Sequence, residues 1–268
     1  MDPVLRTRSL TALFFASAVI ALIYSGRYGA IVLLVVIMLG SAFEFCKIVS
    51  GNLKLAWIAV VLNVVLIAGI TLLPFSASLM VNIIAIVSLV HLFLITTLYT
   101  NAKGGYEVSM PYYTLLYPGL SISGLLYFIY HQEIYDATLL FSIIALIWVS
   151  DSGAYLVGRK LGKTMLFEKI SPKKTWEGTI GAGIFTLIAG VVFYWIRPNI
   201  GLTMWLILSI AIWILGSYGD LVESSVKRRY GIKDSGSILP GHGGFFDRFD
   251  SFIFVAPFIY LIFHYYKI

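Results

Sequence analysis

Stretches of about 20 apolar residues recur from one end of this chain to the other. A helix needs about that length to cross a hydrocarbon core of roughly 30 Å. Nine such spans are expected, at 9–24, 29–48, 55–74, 77–98, 111–130, 137–157, 178–196, 200–219 and 250–266. Only 12% of residues are charged and mean hydropathy is +0.92, far outside the balance of a soluble domain. The chain therefore reads as all-α and polytopic, a single transmembrane domain over 1–268 with no separate soluble domain. Arg6 and Arg8 before an apolar run resemble the start of a signal peptide, and Ala16-Ser17-Ala18 has the form of a cleavage site. The run continues beyond it, so a retained first span is expected. Pro111, Pro118 and Gly119 are expected to kink or break the fifth span. The one cysteine, Cys46, can form no internal disulfide and reads as lipid-facing or packed, with no chemical role.

Two connections are long and polar, 158–177 and 220–249. With nine spans both fall on one side, together with the N-terminus, and that side carries 16 of the 19 basic residues. The other side holds Arg27, Arg197 and Lys267. By the positive-inside rule the polar loops and the N-terminus are expected in the cytoplasm and the C-terminus outside. The net charge of +6 then reports orientation; it does not imply a nucleic-acid partner.

The segment 220–250 concentrates the chemistry. Asp220, Glu223, Ser224 and Lys227 stand at helical spacings of three and four, so they share a face if the eighth span continues past the membrane surface. Asp247 and Asp250 repeat that spacing where the ninth span begins. Hard carboxylate oxygens at two helix ends suit Mg²⁺, which keeps several positions for water and substrate phosphates. Helix capping and a Glu223–Lys227 pair are the plainer reading of individual residues. Between the carboxylates lie Lys227, Arg228, Arg229, Lys233, His242 and Arg248 among Gly236, Gly241, Gly243 and Gly244. Guanidinium groups hold phosphate oxygens, and glycines let backbone N–H groups approach an anion. A patch touching anionic lipid explains the basic residues alone.

The loop 158–177 holds six basic residues and two acidic ones. Gly158, Gly162, Lys163 and Thr164 approach a P-loop, but the first glycine is one residue too close and a membrane helix replaces the preceding strand. Ser171-Pro172-Lys173-Lys174-Thr175 offers two point charges and two hydroxyls to a phosphate; a lipid-surface anchor competes evenly with that reading. Asp151 sits inside an apolar span, where a carboxylate costs at least about 2.5 kcal/mol to insert, and is a site candidate by default. Glu44 and His91 each stand alone near or within spans and read as packing or interfacial residues.

Ser224-x-Val226-Lys227-Arg228, then Lys233-Asp234-x-Gly236, then Leu239-Pro240-x-His242-Gly243-Gly244-Phe245-x-Asp247-Arg248-Phe249-Asp250 resembles the signature of the phosphatidate cytidylyltransferases, the CDP-diacylglycerol synthases. Asp151-Ser152-Gly153-Ala154-Tyr155 and Ser171-Pro172-Lys173-Lys174-Thr175-Trp176-Glu177-Gly178 resemble further segments of that family, so the likeness covers about 137–266. It implies transfer of CMP from CTP to phosphatidic acid, with CDP-diacylglycerol and pyrophosphate as products and Mg²⁺ required, a second cation being compatible. It also implies a bacterial-type inner membrane location facing the cytoplasm, and it allows a homodimer. On this reading Asp220 and Asp247 lead as metal ligands, with Asp250, Glu223 and Asp151 as additions. Asp220, Lys227, Arg228, Lys233, Asp247 and Arg248 are expected to carry the chemistry. Arg159, Ser171, Lys173, Lys174, Thr175, Ser224, His242, Gly243 and Gly244 are expected to contact CTP or the lipid phosphate.

Two other activities compete. A CTP-dependent transferase acting on another lipid phosphate or alcohol would carry similar loops. A transporter of organic anions would instead show paired charges through several spans or internal repeats, whereas charge here gathers at one face.

Overall fold

The computed structural model describes residues 3–99, 115–236 and 243–267. The helices are α1 (Pro3–Tyr24), α2 (Arg27–Ser50), α3 (Leu53–Leu72), α4 (Ala77–Tyr99), α5 (Ser121–His131), α6 (Ala137–Leu161), α7 (Trp176–Ile196), α8 (Leu202–Arg229) and α9 (Phe246–Tyr266). A π-helical turn, Leu115–Leu120, leads into α5, and a short hairpin, β1 (Met165–Phe167) and β2 (Ser171–Thr175), lies between α6 and α7. Among the described residues six helices are long and apolar enough to cross a membrane: α2, α3, α4 over Ala77–Thr96, α6, α7 and α8. The molecule is an all-α membrane protein.

Three boundaries around the polar loops differ from the sequence expectation. α8 runs ten residues beyond 219, so Asp220, Glu223, Ser224 and Lys227 do lie on one continuous helix. Lys227, Arg228 and Arg229 in its last turn meet the negative end of the helix dipole. α9 begins at Phe246 instead of 250, which takes both Asp247 and Asp250 into its first turns. The loop 158–177 shortens, because α6 continues to Leu161 and the hairpin fills the rest. In the fifth span Pro118 falls within the π turn, where Ser121 Oγ donates to the Tyr117 carbonyl and also meets His91 Nε2 at 3.0 Å. Pro111 lies outside the described residues.

α9 is the centre of the fold. Ile253, Phe254, Val255, Ala256 and Ile259 are all fully buried, as expected of a helix apolar around its circumference. It contacts α2, α4, α5, α6 and α8. The outer helices α3 and α7 instead expose Val61, Val65, Ile180, Ile184 and Ile188, an apolar surface suited to lipid. Cys46 is buried, which decides for the packed thiol. His91 is buried too, stacked on Tyr117 and bonded to the Val87 carbonyl, a packing role.

Without a hydrophobic drive between helices in lipid, close packing depends on small residues. α6 and α7 meet through them. A Cβ at Gly181 would lie 2.4 Å from Val157, and one at Gly178 would lie 2.8 Å from the Ala154 carbonyl oxygen. α8 and α9 meet the same way: a Cβ at Gly219 would lie 2.6 Å from Phe254 Cβ, and Ser251 Oγ donates to the Gly216 carbonyl at 3.1 Å. The chain alternates ends, so the C-termini of α2, α4, α6 and α8 gather with the N-termini of α7 and α9. Arg27, Arg197 and Lys267 lie at the opposite end. There Arg27 donates to the Gln132 and Glu133 carbonyls, and Arg197 pairs with Asp136.

Candidate active site

The Gly219 contact brings α8 and α9 together one residue before Asp220. As a result Asp220, Glu223 and Asp250 each place a carboxylate oxygen within 4.8 Å of the others. Each has a definite second contact. Asp220 Oδ2 pairs with Lys174 Nζ at 2.6 Å and Oδ1 accepts from Ser224 Oγ at 3.2 Å. Glu223 Oε2 pairs with Lys227 at 2.6 Å, and Asp250 Oδ1 accepts from the Ser251 amide at 2.6 Å. Glu223 Oε1 is buried with no partner among the described residues. A buried carboxylate oxygen left bare is costly, so this atom is evidence for a cation-binding site. Three hard oxygen donors and an orphaned lone pair fit Mg²⁺.

Asp247, on the same helix as Asp250, is used differently. Its oxygens accept from the Ser235 amide at 3.0 and 3.1 Å, from the Gly244 amide at 2.8 Å and from Lys227 Nζ at 2.9 Å. That carboxylate organises the loop between α8 and α9 and stands outside the three-carboxylate group. Lys227 is correspondingly buried between Glu223 and Asp247. Asp151 lies on α6, accessible, within electrostatic reach of Asp220, Lys174 and Arg248.

The hairpin supplies the site's second wall. Thr175 Oγ1 accepts from the Gly178 amide at 3.1 Å and so caps α7, while Glu177 accepts from the Lys163 and Thr164 amides. These bonds tie the hairpin to the helix and set β2 so that Lys174 reaches Asp220. Lys173, its neighbour along the strand, is exposed and forms no ion pair among the described residues. Ser171 opens β2 opposite Phe167. Arg248 is exposed on α9, as is Lys233 in the loop. Arg228 donates to the Ile232 carbonyl at 3.1 Å, and Arg159 to Tyr155 Oη at 3.2 Å, both at the exposed rim. His242 lies outside the described residues. Beside the acidic group, Tyr99, Phe167, Trp176, Trp213, Tyr218 and Leu221 border a mostly apolar cavity of about 160 Å³.

Gly236, Gly243 and Gly244 each approach a carboxylate closely. Gly243 has φ +80°, a conformation that favours glycine, and a Cβ there would lie 2.5 Å from Asp247 Oδ2. A Cβ at Gly244 would lie 2.4 Å from Glu44 Oε2, and one at Gly236 would lie 2.5 Å from Glu44 Oε1. Glu44 is therefore no isolated packing residue: it is almost fully buried against this loop. Tyr117, also buried, has a hydroxyl without a partner among the described residues and within electrostatic reach of Asp250, Glu223 and Asp220. Glu44 had a signal in the sequence, a lone carboxylate in an apolar span, the same one that singled out Asp151. Tyr117 had none.

Comparison with known proteins gives the family. Over 185 residues, 67% of this chain and 66% of the relative, the sequence is 40% identical to the phosphatidate cytidylyltransferase of Bacillus subtilis (strain 168). It is 38% identical over 200 residues to the protein of that name from Staphylococcus saprophyticus, covering 72% of this chain and 75% of the relative. A third relative of that name, from Staphylococcus haemolyticus, is 49% identical over 117 residues, 43% of this chain and 45% of its own length. The family model for cytidylyltransferases matches residues 6–266, nearly the whole chain, which therefore belongs to the cytidylyltransferase family.

Proposed function

We infer that this chain transfers CMP from CTP to phosphatidic acid, giving CDP-diacylglycerol and pyrophosphate. The observation that carries the reading is the Asp220, Glu223 and Asp250 group, with its orphaned Glu223 oxygen, flanked by Lys174 and Arg248 in a member of this family. A phosphomonoester oxygen of the lipid bonds to the α-phosphorus of CTP as the bond from that phosphorus to the β-phosphate bridging oxygen breaks. Pyrophosphate leaves with that oxygen and the electron pair. The attacking phosphate is already largely ionised near neutral pH, so no side chain need remove a proton.

Catalysis is then alignment and charge neutralisation. Asp220, Glu223 and Asp250 would hold Mg²⁺, with Asp151 within electrostatic reach of Asp220 and Asp250 and with Asp247 as their support through Lys227. Bound there, Mg²⁺ supplies neutralisation of the triphosphate oxygens. Lys174, Lys173 and Arg248 meet the two polyanions at the accessible side, joined at the rim by Arg159, Arg228 and Lys233. Lys227 contributes an internal counter-charge between Glu223 and Asp247. The apolar cavity beside Leu221 suits the first segment of an acyl chain whose phosphate lies at Asp220.

Charge distribution supports nine crossings with this end in the cytoplasm, since 16 of 19 basic residues belong to it. Labelling of Lys169→Cys by an impermeant maleimide in sealed inside-out vesicles, and its failure in right-side-out ones, is the expected result; the reverse overturns the orientation. For the reaction, purified protein with labelled CTP, Mg²⁺ and phosphatidic acid is expected to yield lipid-borne CMP. Intact CTP under those conditions, with active protein from a relative as control, overturns the assignment.

A further inference from the structure

Glu44 lies on α2, far in sequence from every residue assigned above, yet it is 2% exposed and buried against the catalytic loop. Its Oε2 accepts from Ser235 Oγ at 2.7 Å and from the Phe246 amide at 2.8 Å. Phe246 opens α9, so this carboxylate receives one of the free amides at that helix's N-terminus, a position that favours negative charge. Its Oε1 is buried without a partner among the described residues. No cation pairs with it among those residues. Carboxylates are seldom buried this way for packing alone, since an apolar side chain fills the same space without the desolvation penalty.

The bonding continues beyond Glu44. Ser235, which gives its hydroxyl to Glu44, gives its amide to Asp247. Asp247 accepts from Lys227, and Lys227 pairs with Glu223, a member of the three-carboxylate group. Four contacts thus run from α2 to the acidic group, with none longer than 3.1 Å. Gly236 and Gly244 line the Glu44 carboxylate from two sides, where any side chain would displace it. These glycines are shaped around Glu44.

We propose that Glu44 is a positioning residue for the metal site, acting through Ser235, Asp247 and Lys227 to fix the Glu223 carboxylate. The proposal rests on the reading of Asp220, Glu223 and Asp250 as the metal ligands. Groups that orient ligands from behind typically change metal affinity or activity 10- to 100-fold when removed.

The test uses full-length protein in detergent without substrates, titrated with Mn²⁺, which shares the octahedral oxygen preference of Mg²⁺. Free ion is followed by electron paramagnetic resonance. Glu44→Ala is expected to weaken Mn²⁺ binding about tenfold. Glu44→Gln keeps an acceptor for Ser235 and Phe246 and is expected to recover most of that loss. Ser235→Ala removes only the hydroxyl link, and a several-fold loss is expected from it too; should Glu44→Ala fail to fold, this variant decides. Wild-type Mn²⁺ affinity in folded Glu44→Ala and Ser235→Ala overturns the positioning role. Asp250→Asn separates the two readings. If it also binds Mn²⁺ as wild type does, the metal site itself is wrongly assigned; if it alone loses the ion, only the role of Glu44 fails.

Discussion

Gly219 sets the distance between the two helices that build the site, and Gly219→Ala tests that directly. The added Cβ would stand 2.6 Å from Phe254 Cβ and 3.2 Å from the Asp250 carbonyl oxygen. Carbon atoms rest at about 3.5–4.0 Å, so α9 must retreat by about 1 Å. Overpacking of this size costs about 1–3 kcal/mol of stability. The functional cost is larger, because Asp220 follows Gly219 directly and Asp250 sits on the displaced helix. Mg²⁺ requires oxygens at about 2.0–2.1 Å in near-ideal octahedral geometry, and a 1 Å misplacement can cost about 10²-fold in rate. Expected, therefore, is a fall of about 10²-fold in kcat/KM for CTP with only a modest drop in thermal midpoint. Gly216→Ala is the control on the same helix face, since its Cβ would meet Ser251 Cβ at 3.7 Å, an ordinary contact. Activity and folded fraction are measured for both variants. Equal losses in the two, or wild-type turnover in Gly219→Ala, would refute the argument that this single close approach assembles the ligands.

Other expectations follow from the same geometry. Lys227→Met leaves Glu223 and Asp247 buried without their cation and should destabilise the protein by about 3–5 kcal/mol, read as a lowered thermal midpoint; an unchanged midpoint would show that the two carboxylates share a proton instead. Lys174→Ala should raise the KM for CTP and lower kcat together, because Lys174 pairs with Asp220 and, on the proposed mechanism, meets the triphosphate. Lys173→Ala, whose ammonium is exposed, should affect KM alone, and steady-state kinetics separate the two. Thr175→Ala removes the hydroxyl that caps α7 and should cost about 1 kcal/mol in stability, with a loss of CTP affinity as Lys174 shifts.

Legibility in the sequence followed the range of the interactions. Apolar run length specified the helical membrane class, and i, i+3 and i, i+4 spacings placed Asp220 with Glu223 and Asp247 near Asp250, because both signals are local. The same spacings could not rank the carboxylates. Asp247 and Asp250 look alike in sequence, yet they face different neighbours: Asp247 takes up loop amides and Lys227, whereas Asp250 meets the α8 carboxylates. Lys227 read as a phosphate contact from its charge, and only the packing of α9 over it made it an internal counter-ion.

Glu44 shows the same limit from the other side. Its position in an apolar run marks it as costly to bury, but its partners lie 191 and 202 residues away in the chain. By itself, then, the sequence determined a helical membrane protein with an acidic and basic cluster at one end and the signature of its family. Tertiary structure alone decided which oxygens converge, since that depends on how closely α8 and α9 approach at Gly219 and on which long-range partner each buried charge finds.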